Sequence, residues 1–295
     1  MRISACPLHR IFYDDGLTAR LQSEIIIKKM IPENNFSRHN SLIIRAGNGT
    51  LAFLVPEEDG TKAFYQYPVK SGMSIAANLR EAFKEQTYLN RPFKKALLMV
   101  NTPIVLIPRE DYEETENFDA EAMYSSVLTG HKGEEKIIKE LPQFEAMALY
   151  AVNRDLKMVV GDNCQMVDVT SVMMPIWEHL YKRYYINGNK RRMFAYFHDK
   201  CLDICCFEQR RIHFANVFDA QHSHDAIYYL LFAWKQLGMR QQEDELFVLG
   251  EMPDKEWLAQ RLKAYIANVN VISPSASLNR SALSQIEGMP FDMMV

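Results

Sequence analysis

The sequence predicts an α/β chain of two related halves, each opening with a three-strand meander that runs into a helix. Three observations carry this. Residues 192–198, 201–207 and 211–217 read as short strands joined by tight turns, and an apolar helical stretch at 223–238 follows at once. The same order occurs earlier, with strands in 41–67 and a helical period over 72–87. The chain has 295 residues, 48% hydrophobic and 24% charged, which is ordinary globular composition and fits two units of about 100–200 residues. The division is expected at 1–170, a first half with an N-terminal extension, and 171–295, a second half with a C-terminal tail.

The elements of the first half follow in order. Residues 1–40 carry little pattern beyond a strand at 24–30. Residues 41–45 are β-like, and Ala46-Gly47-Asn48-Gly49 is a hairpin turn, because asparagine and glycine accept the left-handed backbone that such turns require. Residues 51–55 and 62–69 complete the meander around Glu57-Glu58-Asp59-Gly60. From Ser74 the period becomes helical, with Ile75, Leu79 and Phe83 on one face. Strands are expected at 95–100, 104–107 and 146–152. The acidic run 109–121 reads as a solvated loop or helix face, and 123–142 as edge strands or extended chain.

The second half begins with a helix whose stripe is Met173, Ile176, Trp177, Leu180, Tyr181 and Tyr184, closed by Asn187 and Gly188. Lys190, Arg191 and Arg192 beside that turn read as a solvated step into the meander. The helix after the meander carries Ile227, Leu230, Leu231, Trp234 and Leu237, with Gly238 placed to cap it. A strand at 246–249 ends at Gly250. Asp254 is placed to N-cap a helix bearing Leu258, Leu262, Tyr265 and Ile266. A last strand is expected at 268–272, and the tail 273–295 shows no pattern.

The order β-β-β-α-β-α-β, used twice, is the layout of the actin, Hsp70 and sugar-kinase superfamily, whose halves are ribonuclease-H-like. Ala148-Leu149-Tyr150-Ala151-Val152-Asn153-Arg154, the helix from Ser171, and Ile212-His213-Phe214-Ala215-Asn216-Val217-Phe218 resemble the actin-like proteins of type IV pilus assembly and the cytoplasmic part of type II secretion platform proteins. A closer resemblance, to an uncharacterised family of Bacteroidetes bacteria, is carried by Asn216-Val217-Phe218, by Asp225 and Tyr228-Tyr229-Leu230-Leu231-Phe232-Ala233-Trp234, by Gln236-Leu237-Gly238, and by Asp244-Glu245-Leu246 up to Gly250. This resemblance implies an actin-like ATPase fold and no particular activity.

Nucleotide-binding members of the superfamily use an acidic residue and glycines in each first hairpin, so that backbone N–H groups approach phosphates, and a Gly-Gly turn against adenosine. Here the first hairpin is Ile44-Arg45-Ala46-Gly47-Asn48-Gly49-Thr50, with glycines but Arg45 near the place of the carboxylate. The second is Phe197-His198-Asp199-Lys200-Cys201-Leu202, with Asp199 but no glycine. The adenosine turn, Leu249-Gly250-Glu251, has one glycine and a carboxylate that repels polyphosphate. All three devices are incomplete, and fold does not fix function. The expected role is therefore a cytoplasmic, non-catalytic protein-interaction or assembly module with no cofactor and no catalytic or metal-binding residues. The alternative is a divergent ATP-binding protein or ATPase using Mg²⁺. That alternative needs a cleft between the halves that Arg45, His198 and Glu251 do not fill.

Other clusters read as structural. His222, His224 and Asp225, with His213, offer zinc-type donors, but alternate residues of an extended loop face opposite sides. Ser223 or His222 would then cap the helix and Asp225 complement its dipole. Cys201, Cys205 and Cys206 lack the C-x-x-C spacing of metal or redox sites and read, with Cys6 and Cys164, as reduced thiols. Tyr228, Tyr229, Phe232 and Trp234 read as core, or as a partner groove if one side is exposed. A net charge of −3 speaks against a nucleic-acid surface, and no segment reaches the roughly 20 apolar residues of a membrane span.

Overall fold

The computed structural model describes residues 41–185, 191–208, 211–279 and 281–295. The strand expected at 24–30, Cys6, and the turn residues Asn187, Gly188, Asn189 and Lys190 lie outside them. Among the described residues the first half contains β1 (Leu42–Ala46), β2 (Leu51–Pro56), β3 (Lys62–Tyr67), α1 (Ile75–Glu85) and β4 (Phe93–Val100). The next stretch holds β5 (Ile104–Pro108), α2 (Arg109–Glu114), α3 (Ala120–Val127), β6 (Glu135–Leu141) and β7 (Ala146–Val152). α4 (Arg154–Asn163) and β8 (Cys164–Ser171) follow, and α5 (Met173–Tyr184) leads to the second meander. That meander is β9 (Arg192–His198), β10 (Cys201–Glu208) and β11 (Arg211–Asp219), followed by α6 (Ser223–Gln236), β12 (Glu245–Gly250), α7 (Lys255–Lys263) and β13 (Asn268–Val271). Two one-turn helices, α8 (Pro274–Ser277) and α9 (Phe291–Met294), lie in the tail.

Two five-stranded sheets share one topology. Their orders are β3-β2-β1-β4-β8 and β11-β10-β9-β12-β13. In each, the meander is antiparallel, and its first strand pairs in parallel with the fourth, as Arg45 does with Met99 and Ala195 with Val248. The fourth pairs in parallel with the fifth. The order of strands thus reverses beside β1 and β9. In open α/β sheets ligands bind at such switch points, outside the carboxyl ends of the strands.

Ser74 caps α1 by accepting from the Ala77 N–H, and Gly238, at φ +59°, ends α6 in the left-handed region that glycine adopts without a Cβ penalty. Four expectations differ. Residues 123–127 are helical, the end of α3, because Asp119 caps that helix through the Ala122 N–H and Tyr124 is buried beneath it. Asp254 precedes α7 but does not cap it: it sits at φ 42° and its carboxylate accepts from the Ser223 hydroxyl instead, which also removes Ser223 as a cap for α6. His222 makes no capping bond either. Arg191 and Arg192 are not merely solvated: Arg191 donates to the Leu237 carbonyl at 2.7 Å, and Arg192 pairs with Glu245 at 2.6 Å.

β5, β7 and β6 form a separate three-stranded sheet inside the first half, with its own small core of Ile107, Tyr124, Leu149 and Ala151. The main core is continuous across both halves. It joins Ile44, Phe53 and Leu98 of the first sheet to Trp177 of α5 and to Phe194, Tyr196 and Phe207 of the second, and it includes Met289, Phe291 and Met293 of the tail. The far face of the second sheet packs on α6 and α7 through Phe197, Leu202, Leu230, Trp234 and Leu258. Strand alternation divides the cysteines accordingly, Cys205 toward the shared core and Cys206 toward the helices.

Candidate functional site

The carboxyl ends of β1 and β9 meet, and with them the two hairpin turns. In the first turn the Gly47 N–H donates to the Thr50 carbonyl at 2.9 Å, and Gly49 takes φ +74°. The second turn has two central residues, Asp199 at φ 47° and Lys200 at φ 62°. This is the mirror-image turn whose twist matches a hairpin, built here without glycine.

Arg45, near the end of β1, is 2% exposed and joins the two turns. Its Nη2 lies 2.9 Å from Asp199 Oδ2, and Nη1 donates to Asp199 Oδ1 at 3.1 Å and to the Thr50 hydroxyl at 3.3 Å. The Thr50 hydroxyl donates to Asp199 Oδ1 at 2.7 Å, and Asn101, just past β4, reaches Asp199 Oδ2 at 3.4 Å. Gly47 lies against this carboxylate. A Cβ at position 47 would come within 2.5 and 2.6 Å of the Asp199 oxygens and still closer to the Thr50 hydroxyl. The close approach that a glycine turn allows is thus taken up by an aspartate of the opposite hairpin.

The other side of the Arg45 fork holds Asp292, from α9, with no exposed surface. Nε donates to Oδ1 at 2.8 Å and Nη2 to Oδ2 at 2.8 Å, a bidentate pair. Tyr196 on β9 donates its hydroxyl to Asp292 Oδ2 at 2.8 Å and accepts from the Asp292 N–H at 3.3 Å. His198, the last residue of β9, stacks on Tyr196 with ring centroids 4.7 Å apart. It bridges Asp203 at 2.6 Å through Nε2 and Asp199 at 3.3 Å through Nδ1. The result is a connected buried chain, Asp203–His198–Asp199–Arg45–Asp292–Tyr196.

The protonation states follow from these contacts. Burial opposes the charge on Arg45, but Asp292 and Asp199 more than offset it, so its pKa rises further. Burial also opposes a charged His198, yet bonds to Asp199 and Asp203 push its pKa up to about 9. For Asp199, burial favours the neutral acid, and His198, Arg45 and Thr50 override it, holding the carboxyl well below the usual range. Burial and the Asp292 charge raise the Tyr196 hydroxyl, which stays a donor. Arg45 and His198 therefore stay charged near neutral pH and sit buried among Asp199, Asp203 and Asp292. Arg45 and His198 are each paired with these side chains, so neither is left free for a phosphate.

The remaining sequence candidates are scattered. Glu251 is exposed, and its N–H donates to the Phe197 carbonyl at 2.9 Å. Gly250 packs so closely on Phe197 that a Cβ would collide with that backbone, so this single glycine serves strand pairing. His213 lies half-exposed on β11, 3.3 Å from Glu208, while the His224 ring lies tilted against Trp257 with centroids 4.6 Å apart, and His222 and Asp225 are exposed. The described residues contain no group of three His, Cys, Asp or Glu side chains placed to hold a metal ion. Cys164, Cys201, Cys205 and Cys206 are free thiols, and burial pushes Cys164 and Cys201 up to about 11. Trp234 is core, whereas Tyr228 is 64% exposed and stacks on Phe232. No described helix is long and apolar enough to cross a membrane. Tyr196, Asp203 and Asp292 were not singled out by the sequence. Tyr196 and Asp203 sit within the recognisable meander, but nothing in the patternless tail marks Asp292.

A model of the family described as "Protein of unknown function (DUF3822)" matches residues 33–269. Among solved structures, a Bacteroides thetaiotaomicron protein with an actin-like ATPase fold and unknown function matches with a TM-score of 0.70 and 24% identity, over 86% of this chain and 99% of that one. The PilM–PilN type IV pilus biogenesis complex matches with a TM-score of 0.55 and 11% identity, over 87% of this chain and 96% of that one. At these identities the likenesses show the fold alone. It is the actin-like, duplicated ribonuclease-H-like fold expected from the doubled meander. No curated protein matches the chain.

Proposed function

The chain belongs to the family of proteins of unknown function DUF3822, and on that premise we propose that it is a non-catalytic protein-binding module that has kept the actin-like architecture and closed its nucleotide cleft from within. One observation carries the reading: the Asp199 carboxylate lies on the Gly47 turn, where a phosphate would need to lie, and is fixed there by Arg45. Arg45 and Asp199 are complementary changes. A guanidinium stands where a nucleotide-binding relative needs a carboxylate for metal or water, and it neutralises the opposite hairpin rather than a ligand.

One structural relative, PilM, forms a type IV pilus biogenesis complex with PilN, which supports an interaction role. The free thiols fit the reducing cytoplasm, which we take as its compartment, with the halves divided at 170/171. The test is titration calorimetry of the purified full chain with MgATP. The expected result is no saturable heat at millimolar nucleotide and no phosphate release. Saturable, Mg²⁺-dependent binding would overturn the reading.

A further inference from the structure

We propose that residues 289–294 occupy, in cis, a peptide-binding site, and that its ligand in trans is a short partner segment in which an aromatic residue is followed by an acidic and an apolar one. This rests on the reading of the chain as a protein-binding module and names the chemistry of its partner. The segment Met289-Pro290-Phe291-Asp292-Met293-Met294 enters the shared core as a ligand would. The Phe291 ring packs edge-on against His179 of α5 at 5.5 Å and lies 6.4 Å from the Tyr196 ring. Met289 and Met293 are buried beside it, and Asp292 takes both the Arg45 fork and the Tyr196 hydroxyl.

Nothing in the sheets requires the segment to stay. It adds no strand to either sheet; its one long-range backbone bond among those described is the Asp292 N–H to the Tyr196 hydroxyl, and its bonds to other backbone groups are local, Met293 N–H to the Pro290 carbonyl and Met289 N–H to the Ile286 carbonyl. If it leaves, Arg45 keeps Asp199 and Thr50 as partners, so no orphaned cation holds it back. What it would leave behind is specific: an unpartnered Tyr196 hydroxyl, half of a guanidinium fork and the apolar seats of Phe291, Met289 and Met293. An empty site of that kind is unfavourable, because buried polar groups need partners and exposed apolar area needs cover. A replacement must bring a carboxylate beside an aromatic ring and an apolar side chain.

The test uses the full chain. A fluorescein-labelled peptide with the sequence of residues 286–295 is titrated, by anisotropy, into wild type and into Phe291→Ala. Truncating a buried aromatic weakens closure in cis about a hundredfold, and the peptide's apparent affinity rises by the same factor as the competent state becomes populated. The expected result is saturable binding to Phe291→Ala, about a hundredfold tighter than to wild type, and lost when the peptide carries Asn in place of Asp292. No binding to the folded variant, or equal binding by the Asn peptide, overturns the proposal. A second measurement on wild type needs no variant: amides of Asp292 and Met293 should exchange through an opening well below global unfolding. Exchange of those amides only with the β9 and β12 core also overturns it. Either failure leaves the nucleotide titration untouched, so the two readings fall separately.

Discussion

The Arg45 guanidinium carries one charge and faces two carboxylates, so removing it and removing either partner are unequal perturbations. Arg45→Met leaves Asp292 buried without a cation and Asp199 with His198 alone, and loss of one side of a buried pair costs about 3–5 kcal/mol. Asp292→Asn leaves Arg45 paired with Asp199, and the cost is that of a weakened buried hydrogen bond, about 1–2 kcal/mol. Urea denaturation of the two variants should show this asymmetry; equal losses would contradict it. His198 gives a pH dependence. Its folded pKa of about 9 lies above the ordinary value near 6.5, so the folded state binds the proton more tightly than the unfolded state. That stability is fully present below pH 6.5 and is lost as pH rises through 9, on the order of 3 kcal/mol. The wild-type-minus-variant stability difference for His198→Asn should show this decline, and a difference that does not change with pH would count against a protonated bridge.

At the scale of elements, the second hairpin holds two non-glycine residues in the left-handed region. Asp199 is kept there by its bonds to Arg45 and Thr50. Lys200 is exposed, and an L-residue in that conformation costs roughly 1–2 kcal/mol. Glycine removes this strain and returns about 0.5–1 kcal/mol of chain entropy to the unfolded state. Lys200→Gly should therefore stabilise the protein by on the order of 0.5–1 kcal/mol in thermal unfolding, and a loss of stability would show that Lys200 makes a contribution of its own. The hairpins were legible in the sequence because their signals are local: Gly47-Asn48-Gly49 between apolar strands, the period change at Ser74, Gly238 after a helical stripe. Residues 123–127 were misread because Asp119, four residues earlier, starts the helix inside an acidic run that looks like loop. α4 and β8 went unread because their burial is set by distant strands, β8 pairing with β4 about seventy positions away.

At the scale of the molecule, the two sheets were foreseeable from a pattern used twice, whereas the closing of the space between them was not. The Arg45–Asp292 pair spans 247 positions, and no periodicity or spacing links a patternless tail to the end of β1. Sequence inspection did identify the missing phosphate devices, turn by turn. It could not foresee that Asp199, the one acidic residue kept, would rest on the one glycine turn kept. The shared core extends from Ile44 through Trp177 to Tyr196 and Phe291, so opening the cleft enough for a nucleotide would expose apolar surface as well as break the charge chain. The most direct test is amide hydrogen exchange at Gly47, Thr50, Asp199 and Lys200 with and without millimolar MgATP. The account predicts identical exchange at both turns in the two conditions; new protection at both turns with MgATP present would contradict it.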